Sequence, residues 1–317
     1  MSPATDGATG CDVLVVAGAG VDTIVRVDAL PVPMADSYGV PPIEAYVGHT
    51  GLGVALGCHR LGLRTRFVDV IGDDHEGRLI MQRAAAEGLS FGHETHPSGT
   101  RRAVNLVDAH GRRLSFYDGR HPYDFVPDPD LWRASLGSAR HVHASIMAWT
   151  IHALTDATAA GISTSTDLHD WDGMADHHRP FAYAADLVFL SGSRLGRPGS
   201  RTEEDVVTDI FTNGRARVVV VMDGARGSRL TERGGSMVEV PAVQLPGRAV
   251  VDSNGAGDSY VAAFLHAWLG GSDAQTAALA GSVGGAWACG SAGTHTSFVE
   301  AGELAAQLAR LTSLDRA

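Results

Sequence analysis

Cysteine is scarce in this chain. Cys11, Cys58 and Cys289 are spread across 317 residues. An odd number at such wide spacing implies no disulfide framework, and the thiols are expected to be buried and reduced. Long hydrophobic runs are missing too, since no stretch approaches the roughly 18–20 apolar residues that span a bilayer. The polar opening from Met1 to Gly10 lacks the charged and apolar regions of a secretion signal. Nor are there basic runs: 25 Lys and Arg stand against 36 Asp and Glu, a net charge of −11. That balance argues against nucleic acid as a partner and offers no patch for an anionic membrane. No internal repeat or low-complexity segment breaks the chain. What remains is 44% apolar, enough to bury a large core as one domain or two smaller ones, and the expected location is cytoplasmic.

Apolar patterning supplies the elements. Cys11 to Val16 reads as a buried strand. Helical periods follow at Thr50–Leu61, Gly77–Glu87, Ile151–Ala160, Glu203–Thr212, Ser259–Leu269 and Ala274–Cys289. Short β-rich runs alternate with them at Thr65–Val70, His141–Ser145, Ile162–Asp167, Leu187–Leu190 and Val218–Met222. Such alternation predicts an α/β sandwich on a mostly parallel sheet, with ligands at the carboxyl ends of its strands. Two segments depart from the rhythm. Val25 to Val47 is extended and punctuated by proline, and Arg102 to Asp118 reads as a hairpin around Ala109-His110-Gly111. Residues 1–10 read as a leader without structure and 313–317 as a frayed tail.

The stretch from Val250 to Ser259 carries the chemistry. A β-branched run, Ala249 to Val251, leads into Asp252-Ser253-Asn254-Gly255-Ala256-Gly257-Asp258, and a helix should start directly after it. Val261, Phe264, Leu265 and Trp268 would form its apolar face. Glycines at 255 and 257 let backbone N–H groups approach a ligand at a helix N-terminus, which favours an anion such as phosphate. A carboxylate at Asp258 opposes that anion unless it takes a proton from a hydroxyl attacking the bound phosphoryl group. The competing reading is that Asp258 merely caps the helix.

This segment resembles the D-T-x-G-A-G-D signature of the PfkB, or ribokinase-like, carbohydrate kinases. A second resemblance lies about 200 residues earlier, in Gly48-His49-Thr50-Gly51-Leu52-Gly53-Val54-Ala55-Leu56-Gly57 and on to Gly72-Asp73-Asp74-His75-Glu76-Gly77. Ala17-Gly18-Ala19-Gly20-Val21-Asp22-Thr23-Ile24 is similar to the family's opening strand and its substrate-binding Asp. The resemblance implies a ribokinase-like three-layer sandwich, 1–317 as one kinase domain. Residues about 25–47 and 100–118 would form a small β-sheet lid inserted in it. Arg102 to Val107, Ser165 to Gly173 and Val251 to Asp258 further resemble one branch of the family, the acarbose 7-kinases. That branch implies transfer of the ATP γ-phosphate to a hydroxyl of a carbohydrate or pseudo-oligosaccharide. A kinase for another polyol or a nucleoside, and a sugar or nucleotide sensor without catalysis, stand as alternatives.

The same resemblance assigns roles. Asp258 is the general base, and the backbone of Asn254, Gly255, Ala256 and Gly257 forms the anion hole. Asp22, Gly48, His49, Thr50, Gly51 and Asn105 line the acceptor site, where His49 and Gly53 replace the usual second glycine and asparagine. Asp223, Gly224, Ala225 and Gly227 would lie near the ATP ribose and phosphates. Gly284, Ala288 and the segment Cys289 to His295 would form the adenine side, which in this family also binds a monovalent cation. Mg²⁺ is implied, yet the family's N-x-x-E motif is replaced by Ser191-Gly192-Ser193-Arg194. Asp167 is then the candidate to hold metal-bound water. His143, Trp149, His169 and Trp171 read as pocket walls near strand ends or as ordinary packing. Fifteen histidines offer no zinc-ligand spacing. Lid sheets in the family pair between subunits, so a homodimer through the lid is an expectation.

Overall fold

The computed structural model describes residues 10–314. Along the chain come β1 (Cys11–Val16), β2 (Gly20–Val27), β3 (Glu44–Gly48), α1 (Thr50–Arg60), β4 (Thr65–Ile71), α2 (His75–Glu87) and β5 (Ser90–Thr95). The hairpin β6 (Arg102–Asp108) and β7 (Arg113–Asp118) follows, then α3 (Asp130–Leu136), β8 (Ala139–Ala144), α4 (Thr150–Ala159), β9 (Ser163–Asp167), α5 (Arg179–Ala184) and β10 (Leu187–Ser191). The remainder is α6 (Glu203–Asn213), β11 (Val218–Met222), β12 (Ser228–Glu232), β13 (Met237–Val240), α7 (Ala256–Leu269), α8 (Ala274–Cys289) and α9 (Ala301–Leu314).

The larger sheet has the order β13-β12-β11-β10-β9-β8-β1-β4-β5. Its strands are parallel from β11 to β5, and β12 and β13 add an antiparallel edge. Burial on both faces explains why β1 reads as an unbroken apolar run instead of an alternating one. Val13 and Val15 pack under α1, α7 and α8, and Leu14 and Val16 face α3 and α4 on the other side. The two helices above β1 and β10 meet at very short range. A Cβ at Gly284 of α8 would sit 2.5 Å from the Ser259 carbonyl oxygen of α7, so only glycine permits that approach.

A second sheet, in the order β3-β2-β6-β7, forms the lid. It begins at Gly20, earlier than the expected boundary near residue 25, because the chain enters β2 directly after β1. Asp22 therefore belongs to the lid itself. Ala249 to Val251, expected as a strand, is irregular, and Val250 and Val251 are largely exposed. No neighbouring strand pairs with this run, and β-branched residues alone do not make one. Edge strand β5, short helices α3 and α5 and the β12–β13 edge were not among the expected elements, nor was α9, although Leu304, Leu308 and Leu311 fall at a helical period and pack on the core. The expected leader lies outside the described residues except for Gly10. Of the expected tail, residues 313–314 are helical and 315–317 lie outside the description. All three cysteines are free; Cys11 and Cys58 are buried and Cys289 is partly exposed. Among the described residues, no helix is long and apolar enough to cross a membrane.

Candidate active site

A cavity of about 720 Å³ opens between the lid and the carboxyl ends of β1, β8, β9 and β10. Its walls include Asp22, His49, Thr50, Gly51, Asn105, Trp149, Trp171, Gly255 and Asp258. Residues far apart in sequence thus meet at one site.

Asp258 lies in the first turn of α7, whose N-cap is Gly255 at φ 78°. The N–H groups of Gly255 and Gly257 have no hydrogen-bond acceptor among the described residues and stand at the positive end of the helix. Asn254 is different. Its backbone N–H and side-chain amide both donate to Asp252 Oδ1, at 3.0 and 2.8 Å. The Ala256 N–H donates to the Ser253 carbonyl at 3.3 Å. The expected four-residue anion hole therefore narrows to Gly255 and Gly257, because the loop spends its other donors on its own turn. The lid grips this loop as well. Arg26 of β2 donates to Asp252 Oδ2 at 2.6 Å, and Arg113 of β7 donates to Asn254 Oδ1 at 2.9 Å.

On the acceptor side, the Asn105 amide donates to Asp22 Oδ1 at 3.2 Å and Ser115 donates to Asn105 Oδ1 at 2.6 Å. His49 Nε2 lies 3.4 Å from the same Asp22 oxygen. Burial pushes the Asp22 carboxyl up, but His49, His295 and the Asn105 amide outweigh it and hold the group below its ordinary range. His49 itself sits at φ 68°, ψ 157°, a region that costs any residue other than glycine of order 1–3 kcal/mol. Its position beside Asp22 accompanies that strain.

Several expected site residues lie elsewhere. His143 is fully buried within the sheet, its Nδ1 2.8 Å from Ser165 Oγ, and burial pushes it down to about 3. It is a neutral core residue and not a cavity wall. Gly48 and Asp167 do not line the cavity. Asp167 is nearly buried and accepts from the His169 N–H at 2.8 Å; burial, with Asp258 adding to it, pushes its carboxyl up to about 6. Trp149 and Trp171 do form walls, and Trp171 stacks on His178 with centroids 5.7 Å apart.

The nucleotide half departs further. Asp223 is engaged by Arg226 at 2.6 and 2.9 Å and by Arg229 at 3.0 Å. Gly224 and Ala225 are exposed, but Gly227 is buried. Gly284 is locked in helix packing and Ala288 is buried, so neither offers a surface to a nucleotide. Among the described residues no cluster of three or more His, Cys, Asp or Glu could hold a metal ion. The sequence reading missed Arg101, Arg113, His121, Arg194 and His295, all of which face the cavity. Arg194 was named only within the segment that replaces N-x-x-E and His295 only at the end of the adenine-side segment; Arg101, Arg113 and His121 carried no assignment, and the fold gathers all five.

Comparison with known proteins agrees with this geometry. The family model described as pfkB family carbohydrate kinase matches residues 15–301. The chain is 44% identical over 279 residues to the acarbose 7(IV)-phosphotransferase of Actinoplanes sp., covering 88% of this chain and 92% of that protein. The structure of a microbiome-derived acarbose kinase, Mak1, superposes with a TM-score of 0.88 at 57% identity, over 95% of this chain and all of that one. Ribokinase from Giardia lamblia, at 17% identity and a TM-score of 0.82 over 96% and 100% of the two chains, shares the fold. The chain belongs to the pfkB family of carbohydrate kinases, enzymes that pass phosphate from ATP to a hydroxyl.

Proposed function

We propose that this enzyme phosphorylates a pseudo-oligosaccharide of the acarbose type, with Asp258 as the general base. The observation that carries this reading is the acceptor cavity. At about 720 Å³ it lies in the upper part of the range for small-molecule sites, roughly 300–1,000 Å³. Its lining includes Asp258, Tyr117, Tyr123 and His177 as well as the nearly buried Trp149 and Trp171. The exposed rings of Tyr117 and Tyr123 suit the apolar faces of successive sugar rings. The named activities of the Actinoplanes and Mak1 proteins point to the same acceptor.

In this reading the acceptor hydroxyl gives its proton to Asp258 as its oxygen bonds the γ-phosphorus, and ADP leaves. Gly255 and Gly257 N–H groups, with the α7 dipole behind them, meet the charge that develops on the phosphoryl oxygens. Asp22 and Asn105 hold acceptor hydroxyls through charge-assisted bonds. Thr50 and Gly51 at the start of α1 close the wall beside them. Mg²⁺ usually takes one or two carboxylates plus substrate phosphates. Asp167 suits the role of outer carboxylate, because among the described residues its carboxylate accepts only a backbone N–H, that of His169. When bound, the ion would neutralise phosphate charge. A monovalent cation near Cys289 to His295 remains part of the proposal. So does a homodimer, for which the exposed Val104, Leu114 and Phe116 of the lid offer an apolar face.

The test is phosphate transfer followed by mass spectrometry, with ATP–Mg²⁺ and acarbose, maltose, ribose, fructose and adenosine. One phosphate gained on acarbose is the expected result, and Asp258→Asn should cut turnover by about 10² or more with binding retained. Transfer only to a simple sugar or to adenosine would reject the acceptor class.

A further inference from the structure

His295 is nearly buried and lies in the connection between α8 and α9, at φ 55°. Its Nε2 is 2.7 Å from Asp258 Oδ2. Nothing in the sequence around His295 suggests that contact. It exists because three glycines leave the room. A Cβ at Gly53 would lie 2.1 Å from His295 Nε2, one at Gly48 2.7 Å from Nδ1, and one at Gly255 2.9 Å from Cδ2. The ring therefore occupies space that a side chain at Gly53 would otherwise fill. Phe298 stacks on its far side with planes 7° apart, and Arg83 donates to its carbonyl oxygen at 3.2 Å.

The partners also fix the proton. A carboxylate only accepts, so Nε2 must carry the N–H that meets Asp258. Among the described residues Nδ1 is buried without a hydrogen-bond partner, so the ring's one polar contact is the Nε2–H bond aimed at one oxygen of Asp258.

We propose that His295 is a positioning residue for the phosphoryl-transfer base. It pins Asp258 Oδ2 through the Nε2–H bond and leaves Oδ1 to receive the acceptor proton. This rests on the reading of Asp258 as the base. During transfer the acceptor O–H bond breaks and its proton passes to Oδ1. The acceptor oxygen bonds the γ-phosphorus, and the bond from phosphorus to the β–γ bridging oxygen of ATP breaks. ADP leaves, and the proton later returns to solvent from Asp258.

The experiment compares kcat and acceptor KM for the full chain and for His295→Leu, His295→Gln, Asp258→Asn and Asp258→Asn/His295→Leu. Acarbose and ATP–Mg²⁺ are the substrates, and each variant is first checked by thermal melting. His295→Leu should lose about 10- to 100-fold in kcat, the scale of one hydrogen bond to a charged group, with KM changed less than about threefold. His295→Gln, whose amide can donate, should recover most of that loss. Because His295 acts through Asp258, removing it from the Asp258→Asn chain should cost nothing more. An unchanged kcat in His295→Leu overturns the proposal. So does a Gln variant as slow as the Leu variant, or a full additional loss in the double variant. If His295→Leu does not fold, Gly53→Ala drives a methyl group into the ring and should lower kcat in the same way; wild-type kcat there overturns the proposal. An Asp258→Asn chain with full activity removes the base reading itself, whereas an inert Asp258→Asn with an indifferent His295→Leu removes only this inference.

Discussion

Arg101→Met tests whether the wall behind the acceptor site is held by charge. Arg101 is 1% exposed and Asp69 is fully buried. The guanidinium donates to Asp69 Oδ1, to the Val70 carbonyl at 2.9 Å and to the Ala19 carbonyl at 3.2 Å. Asp69 also accepts the Ala19 N–H at 2.7 Å and the Val70 N–H at 2.6 Å. Methionine keeps most of the volume and removes the charge. Breaking a buried pair from one side typically costs about 3–5 kcal/mol, because the remaining charge is left without a partner. For a chain of this size that corresponds to roughly 4–8 °C in Tm. Urea and thermal melts at pH 7.5 give the number. Burial already pushes the Asp69 carboxyl up, and Arg101 is the main opposing influence. Without Arg101 the folded-state value rises further, so stability present at low pH is lost as pH rises through it. The deficit of Arg101→Met should shrink on acidification, and adding Asp69→Asn should recover much of it. His121, whose Nδ1 is 3.1 Å from Arg101, gives a second readout. Burial first, then Arg101 and His96, hold it down to about 4, and it should titrate higher in the variant. A loss below about 1 kcal/mol, with His121 unmoved, would refute the pair as the organising contact.

Two further outcomes follow from the site and the sheet. Asp22→Ala should raise the acceptor KM far more than the ATP KM in steady-state kinetics, and equal effects would remove Asp22 from the acceptor side. His141 and His143 are both pushed down to about 3 by burial, against about 6.5 in the unfolded chain. The unfolded chain thus binds more protons between those values, and stability falls as pH drops through that window by up to about 1.4 kcal/mol per unit for each ring. Asp167, raised to about 6, works the other way between 6 and its ordinary value. Urea midpoints at pH 7.5 and 5.0 should differ more for the natural chain than for His141→Asn/His143→Asn, and equal differences would contradict the burial argument.

The parallel sheet was legible because strands buried on both faces leave continuous apolar runs, as in Val13 to Val16 and Val218 to Val221. The start of α7 was legible because its glycines and Asp258 have few other uses at a helix N-terminus. Asp22 was expected at the acceptor side but not in the lid, because the lid was read from the proline-punctuated stretch after Val25, whereas β2 already starts at Gly20. The hydrogen bonds of Asn254 could not be read at all. Whether a loop's N–H groups face a ligand or its own aspartate depends on the turn adopted by Asp252 to Gly255, and the same residues serve either. His143 misled because a polar residue near a strand end reads as a wall, although Ser165 on the neighbouring strand satisfies it in the core.

The missing N-x-x-E motif takes on a definite meaning once the charges are placed. Glu203 and Asp223 lie near the end of β10 but are both engaged by Arg229, through contacts of 2.7–3.0 Å. The segment that replaces the motif ends in Arg194, which pairs with Asp172 at 3.1 Å. The chain contains no lysine, so its cationic side chains are arginine and histidine. Arg101 and Arg194 face the cavity with carboxylates already in contact, at Asp69 and Asp172. Arg113 also faces it, and its partner there is the neutral side chain of Asn254. A guanidinium bound to a neutral oxygen retains its charge for a phosphate, whereas one paired with a carboxylate has largely spent it. Arg113 and the N-terminus of α7 meet at the 252–258 loop, so this loop joins the lid to the helix that carries Asp258.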